Sequence, residues 1–258
     1  YHRKLFSDRD FDLYDLKMDR KEQRKKLYEK REEVIRNIFN EYKIEGVFDL
    51  VTNAEDAFKV GFALGAIESN SVESDLFPDY LTKTENEWKR FIAGFIFSRQ
   101  QLRGWDWVDG LDRNSWTQEH SARLLMELPF EQETWDHVKE WLQDSERLYW
   151  QSVCVNPYQS KSDLTPAIDK LLENDRPHTA IDCLNCQLHN KRPLNVEQAV
   201  QALTAAIKSE ESARHRDQYE TVELIKALQN HPETDKKDLI GIEWAYVSLL
   251  DRDNKKSP

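Results

Sequence analysis

Residues 176–193 read RPHTAIDCLNCQLHNKRP and hold the side chains in this chain that most resemble a metal site. Cys183 and Cys186 are three residues apart, His189 follows three residues later, and His178 precedes them. Thiolates and imidazoles are the usual ligands of structural zinc, so this spacing raises the hypothesis of a zinc knuckle.

A helix over the same segment would separate these ligands. Positions 183, 186 and 189 turn back by about 60° at each step and spread over about 9 Å along a helix axis. Structural zinc needs about four ligands, usually as two pairs, and Cys154 is the one other cysteine. We therefore expect these residues to pack against a neighbouring helix, and we expect neither a metal nor another cofactor.

The stretch GWDWVDGLDRNSWTQEH is rich in aspartate and could suggest a calcium loop. Such a loop needs oxygen ligands at its positions 1, 3 and 5. With Asp109 as position 1, positions 3 and 5 are Leu111 and Arg113, whose side chains cannot bind calcium. The stretch is better explained as a turn between two helices.

Tryptophan is concentrated in one region. Six of the eight tryptophans fall within residues 105–150, namely Trp105, Trp107, Trp116, Trp135, Trp141 and Trp150. Most should belong to the core, but aromatic residues are also common anchors of protein interfaces. Trp105 and Trp107 lie in a turn-like stretch. We therefore expect one of them to contact a protein partner, together with the neighbouring Asp106, Asp109 and Asp112.

Motifs of catalysis are missing from the sequence. It contains no P-loop, G-x-G-x-x-G, H-E-x-x-H or G-x-S-x-G. A di-iron bundle needs E-x-x-H pairs, and Glu133 is followed at the third position by Asp136, with His137 one residue too late. No catalytic residue is predicted, and the chain is not expected to be an enzyme.

The composition predicts long helices joined by short connections. The chain has 258 residues, of which 39% are hydrophobic, but only 7 glycines and 8 prolines. All-β folds need many turn residues, so this scarcity disfavours them. No apolar run is long enough to span a membrane.

Charge and cysteine content indicate the setting. The net charge of −11 disfavours binding to nucleic acid and favours a protein partner. Three cysteines are an odd number, which is typical of the reducing cytoplasm. Because the sequence starts at Tyr1 without methionine, we expect it to be a piece of a longer polypeptide. Residues 20–36 are locally basic, which fits either an anionic partner or, as we favour, a solvated helix.

Local signals divide the chain into helices. Asn53 is expected to cap one helix, in which Gly61 and Gly65 allow a neighbouring helix to approach closely. Further helices are predicted at about 117–127, 131–143, 145–153, 163–174, 177–190, 195–209, 216–230 and 236–250, with Pro177 in a first turn and Asn195 with Gln198 as a cap.

The clearest single helix lies between two strong boundary signals. Thr84 and Glu87 form a predicted capping box, and Gly104 is expected to end the helix. Phe91 and Ile92, with their equivalents one turn later, give it an apolar stripe.

The succession of helices predicts an all-α fold of antiparallel helix pairs, stacked in a degenerate array like tetratricopeptide or HEAT repeats. We expect four parts. They are a charged N-terminal helix over 1–42, an irregular tryptophan-rich subdomain over 43–156, a regular helical-repeat subdomain over 157–252 and a polar tail over 253–258.

Several phrases carry a resemblance: VFDLVTNAEDAFKVGFALGAIE, WDWVDGLD, LPFEQETWDHV, YWQSVCVNPYQSKSDLTPAIDKLLENDRPHTAIDCL and DLIGIEWAYVSLLDR. Over most of residues 31–252 they resemble a helical region of long bacterial multidomain proteins. The resemblance implies a sensor or scaffold role, as in signalling proteins of anti-phage defence. It carries over no catalytic residue.

These observations together predict a non-enzymatic helical-repeat module that recognises or scaffolds a protein within a larger bacterial protein. Two alternatives remain open. A nucleic-acid-binding array would show a continuous basic groove that includes residues 20–36. An all-helical enzyme or cofactor bundle would show a buried cluster of histidines and carboxylates.

Overall fold

The computed structural model describes residues 2–9, 19–67, 72–161, 163–211 and 218–254. Within these ranges all regular secondary structure is helical, which confirms the predicted all-α fold. None of the described helices is long and apolar enough to cross a membrane. The α-helices are α1 (His2–Leu5), α2 (Arg20–Asn53), α3 (Ala57–Ala66), α4 (Val72–Leu76), α5 (Asn86–Asp109), α6 (Gln118–Met126), α7 (Gln132–Leu142), α8 (Arg147–Trp150), α9 (Thr165–Glu173), α10 (Pro177–His189), α11 (Val196–Ala206), α12 (Gln218–Gln229) and α13 (Lys236–Asn254).

The chain divides into two compact units, Tyr1–Leu128 and Pro129–Pro258. The four-part division expected from sequence, with boundaries at 42, 156 and 252, stays a prediction, and residues 255–258 of its polar tail lie outside the described residues. The expected boundary at 42 falls beside a kink in α2, where Lys43 has a φ of 55°. The second unit begins with α7 and contains the whole of the predicted regular subdomain.

In the first unit, α3 and α5 pack backbone against backbone. A methyl group added to Gly61 would overlap the carbonyl oxygen of Phe91, and one added to Gly94 would overlap that of Phe58. A methyl group on Gly65 would lie 2.6 Å from Cβ of Ser98. The expected role of Gly61 and Gly65 in close helix approach is therefore confirmed.

The cap of α3 differs from the prediction. Asp56, not Asn53, precedes the helix, and its Oδ1 accepts a hydrogen bond from the backbone N–H of Phe58 at 3.2 Å. Asn53 is the last residue of α2, where its Nδ2 donates to the carbonyl oxygen of Asp49 at 2.7 Å. This hydrogen bond to the preceding turn keeps Asn53 within α2.

The predicted start of α5 is also wrong. Glu85 is the residue before the helix and makes no side-chain cap, so the Thr84–Glu87 capping box is not formed. Gly104 interrupts the helix as predicted, because its φ of 65° is not helical, and a second helical segment of α5 follows across this kink to Asp109. Trp107, beyond the kink, is buried, so the second segment of α5 packs on the core.

The N-terminal residues pack on α2 through one buried arginine. Arg31 is 2% exposed, and its Nε donates to the carbonyl oxygen of Leu5 at 2.7 Å. Leu5 and Phe6 are themselves buried. The remaining basic side chains of the 20–36 segment are exposed on α2.

In the second unit, α10 is the central helix. It contacts α9, α11 and α12. Ten residues of its thirteen are buried, including Cys183, Cys186 and the polar Asn185, which donates to the carbonyl oxygen of Glu220 at 2.9 Å. The predicted cap of α11 is confirmed, since Asn195 Oδ1 accepts from the backbone N–H of Gln198 at 3.2 Å.

A carboxylate distant in sequence caps the start of α10. Glu211 Oε2 accepts from the backbone N–H of His178 at 2.6 Å and from that of Thr179 at 3.3 Å. Arg176 Nε lies 3.6 Å from Glu211 Oε1, and its Nη1 donates to the carbonyl oxygen of Val153 at 2.8 Å. Negative charge is stabilising at a helix N-terminus, so Glu211 fixes the chain after α11 against α10.

The packing of α3 on α5 gives a first testable prediction. Gly94→Ala should lower the free energy of unfolding by at least about 2 kcal/mol, because the added methyl overlaps backbone that cannot rotate away. Gly241→Ala in α13 is the matched control, since among the described residues no atom other than its chain neighbours and nearby helix backbone lies within 4 Å of the added methyl. It should raise stability by about 0.5–1 kcal/mol through helix propensity. Urea unfolding followed by circular dichroism measures both, and equal effects would contradict the packing argument.

Candidate cleft at the end of α5

A half-enclosed cleft of about 440 Å³ lies beside the second half of α5 in the first unit. Two helices and a loop form it. The lining residues that matter most are Glu73 and Phe77 from α4 and the turn after it, Asp106 and Trp107 from α5, and Asp112 and Trp116 from the loop before α6. With Arg103, which also lines it, the cleft combines carboxylates and one guanidinium with aromatic rings.

A buried ion pair supports the cleft from below. Arg99 is 1% exposed, and its Nε lies 2.9 Å from Glu73 Oε1. Its Nη1 donates to the carbonyl oxygen of Ile67 at 2.9 Å, at the end of α3. The same Glu73 oxygen accepts a hydrogen bond from Trp107 Nε1 at 2.9 Å. One carboxylate thus fixes α4 against both halves of the kinked helix α5.

Burial is the main influence on the charge of Arg99. It lowers the pKa of the guanidinium, because a charged group loses hydration in the core, and Glu73 partly offsets this by stabilising the charged form. Glu73 is therefore engaged in holding Arg99 and Trp107. Asp106 and Asp112 are the exposed carboxylates of the lining.

The aromatic wall is held by edge-to-face contacts. The centroids of Phe77 and Trp116 are 5.6 Å apart, with ring planes at 76°. Phe77 also contacts Phe95 at 5.9 Å, and Phe95 contacts Trp107 at 6.4 Å. Trp107 is 8% exposed, whereas Trp116 remains half-buried. Both tryptophans line the cleft, and Trp116 is the more solvent-accessible of the two.

The structure brings together three of the five residues selected from sequence. Asp106, Trp107 and Asp112 line the cleft, whereas Trp105 is half-buried outside its lining and Asp109 is exposed nearby. The expectation that most of the six tryptophans belong to the core is confirmed, since four of them are buried: Trp107, Trp135, Trp141 and Trp150.

Sequence reasoning missed the residues that complete the cleft. Glu73 and Phe77 lie about one helical hairpin before the predicted site, and no local pattern links them to it. Trp116 was visible as one of the clustered tryptophans but was not selected. Glu73 lies on a short polar helix, and its importance comes from its contact with the buried Arg99. Only the tertiary structure reveals that contact.

The cysteine and histidine motif does not converge on one point. Cys183 and Cys186 are buried in α10, while His189 is exposed and its Nδ1 lies 3.3 Å from the hydroxyl of Tyr158. Over the described part of the chain, no three His, Cys, Asp or Glu side chains are grouped so that they could hold a metal. Burial raises the pKa of the Cys183 thiol well above its usual value.

The ion pair beneath the cleft leads to a second prediction. Glu73→Gln should cost about 3–5 kcal/mol of stability, because it removes the counter-charge from a deeply buried guanidinium. Asp106→Asn, on an exposed carboxylate of the same cleft, should change stability by no more than about 0.5 kcal/mol. Chemical denaturation of both variants decides this. A small effect of Glu73→Gln would mean that the ion pair is not needed.

Burial of the cysteines leads to a third prediction. In the native protein a thiol reagent such as Ellman's reagent should modify Cys154 promptly, because Cys154 is exposed. Cys183 and Cys186 should react only after denaturation, because a buried thiol is neither accessible nor ionised at neutral pH. Counting released chromophore before and after urea addition measures this, and prompt reaction of all three would show that α10 is not packed as described.

Known proteins offer no relative from which the role of the cleft could be inferred. The chain matches no protein-family model, and searches of curated proteins and of solved structures yield no match. The resemblance to a helical region of bacterial multidomain proteins stays a prediction.

Proposed function

We propose that this chain is a non-enzymatic helical-repeat module that recognises a protein partner within a larger bacterial protein, and that the cleft at the end of α5 binds a segment of that partner. The observation that carries this proposal is the convergence of Asp106, Trp107, Asp112 and Trp116 around one cavity. Exposed carboxylates and a half-buried indole ring, here that of Trp116, are groups that recognise protein side chains.

The cleft is preorganised for binding. Glu73, Arg99 and Trp107 are linked by contacts of 2.9 Å, and the Phe77–Trp116 contact orients the half-buried ring. A rigid site loses little conformational freedom when a partner binds, so more of the contact energy contributes to affinity. Clusters of this kind typically contain the few residues that dominate an interface.

The order of helix contacts supports the repeat part of the proposal. In the second unit, α9 contacts α10 and α11, α10 contacts α11 and α12, and α11 contacts α12 and α13. Contacts between each helix and the next two are typical of stacked helical hairpins. Such arrays present extended surfaces, which suits recognition or scaffolding.

The cellular setting rests on the resemblance and on composition. Both favour a cytoplasmic role, and the resemblance favours a sensor in anti-phage defence. A nucleic-acid-binding array is disfavoured by the net charge of −11 and by the exposed carboxylates of the cleft.

A peptide-selection experiment tests the cleft. A random peptide library displayed on phage is selected on the immobilised 258-residue chain, and enriched peptides are measured by fluorescence anisotropy. Trp116→Ala should weaken binding by about 30-fold or more, as expected for a central anchor. Circular dichroism of the variant confirms that it remains folded.

Two aspartates provide a matched pair for the same experiment. Asp106→Asn should weaken binding because Asp106 lines the cleft, whereas Asp109→Asn removes the same charge three residues away and should leave binding unchanged. Peptides that bind equally well to all three variants would place recognition elsewhere, and a selection that enriches no peptide would contradict the proposal.

A further inference from the structure

A second concave surface lies in the second unit, along α11. It is an open groove of about 1160 Å³, and its floor is one face of that helix. Val196, Val200 and Thr204 are spaced by four residues and form a stripe, which Leu194 extends at the start of the helix. Val196, Val200 and Leu194 are half-exposed, and Thr204 is exposed. The floor is thus a largely apolar helix face that the described part of the chain leaves accessible.

The opposite face of α11 explains why this one remains open. Ala199, Ala202 and Leu203 are fully buried and pack the helix against its neighbours. A surface helix normally has one apolar face toward the core and polar residues opposite. The valines of α11 lie on a second face. The helix therefore has apolar surface beyond that which packs against the described helices.

The walls of the groove are fixed in position. Gln198 Nε2 donates to the carbonyl oxygen of Thr165 at 3.0 Å, which ties α11 to the start of α9. The hydroxyl of Tyr246 donates to the carbonyl oxygen of Leu203 at 2.9 Å, which ties α13 to α11. The groove is therefore formed before any partner arrives.

The rim of the groove is acidic. Glu197, Glu233, Asp235 and Asp238 line it, and all four are exposed. Asp235 also caps α13, since its Oδ1 accepts from the backbone N–H of Lys237 at 2.7 Å. As far as the structure describes it, the lining contains no lysine or arginine, and the side chains of Lys236 and Lys237 lie outside it. The rim thus carries one sign of charge.

We infer that this groove binds a basic amphipathic helix of another protein. The apolar stripe from Val196 to Thr204 is about 12 Å long, which equals a little more than two helical turns. A helix that places leucine-like residues on this floor would direct flanking lysines or arginines toward the four carboxylates. The same rim repels phosphate backbones, so nucleic acid does not fit. This surface is separate from the cleft at the end of α5 and does not depend on its function.

A designed peptide tests the groove on the full chain. The probe is a fluorescein-labelled, amidated helix of about 14 residues, roughly four turns, built from leucine and lysine with the leucines on one face. At about 0.15 M ionic strength it should bind saturably, and Glu197→Gln, Glu233→Gln and Asp238→Asn together should raise Kd by about tenfold. Asp235 is left unchanged because it caps α13.

Two controls separate the groove from general attraction to an acidic protein. Glu140→Gln, Asp144→Asn and Glu210→Gln together remove the same charge from exposed positions outside the groove and should change Kd by less than about twofold. A scrambled peptide of equal composition, without an apolar face, should bind at least about tenfold more weakly.

Three outcomes would overturn the inference. The two triple variants could weaken binding equally, the scrambled peptide could bind as well as the amphipathic one, or no saturable binding could occur.

Sedimentation of the chain alone tests whether a second copy of the chain occupies the groove. A dimer that is dispersed by the groove variant but not by the control variant would assign the groove to a second copy of this chain.

Discussion

A methyl group cannot be added to Gly61 or Gly94 without overlapping a carbonyl oxygen of the opposite helix, so α3 and α5 are in direct backbone contact. This contact lets Arg99 on α5 reach the carbonyl oxygen of Ile67 at the end of α3. Arg99 then requires a carboxylate, and Glu73 supplies it. Because Glu73 also accepts from Trp107, the geometry of the cleft depends on the glycine contact.

In the second unit the helices are positioned by a different kind of interaction. Its helices are joined by polar side chains that satisfy backbone groups of helices elsewhere in the unit, as Glu211 does for the first N–H groups of α10. Gln198 and Tyr246 act similarly on carbonyl oxygens of α9 and α11. Such bonds have strict geometry, so they specify how neighbouring helices are placed while apolar contacts supply most of the stability.

The sequence predicted helices well where apolar residues recur at helical spacing, as in α7 and α9. It predicted helix ends poorly where several capping residues stand close together, as in NAED and TENE, since local rules cannot choose among them. In the structure α3 begins after Asp56 rather than Asn53, and α5 begins after Glu85 rather than Thr84. Only part of the cleft was predicted. Glu73 was missed because it contacts Arg99 and Trp107, which are more than twenty positions away in sequence.

The helix that looked most like a chemical site, α10, is surrounded on several sides by other helices of its unit. Cys183 is completely buried there, and Cys186 nearly so. At such positions a side chain is selected for its volume, since a larger group would strain the packing and a smaller one would leave a void. If homologous chains keep these two cysteines unchanged, that conservation would record the space available between helices and would not indicate catalysis or metal binding.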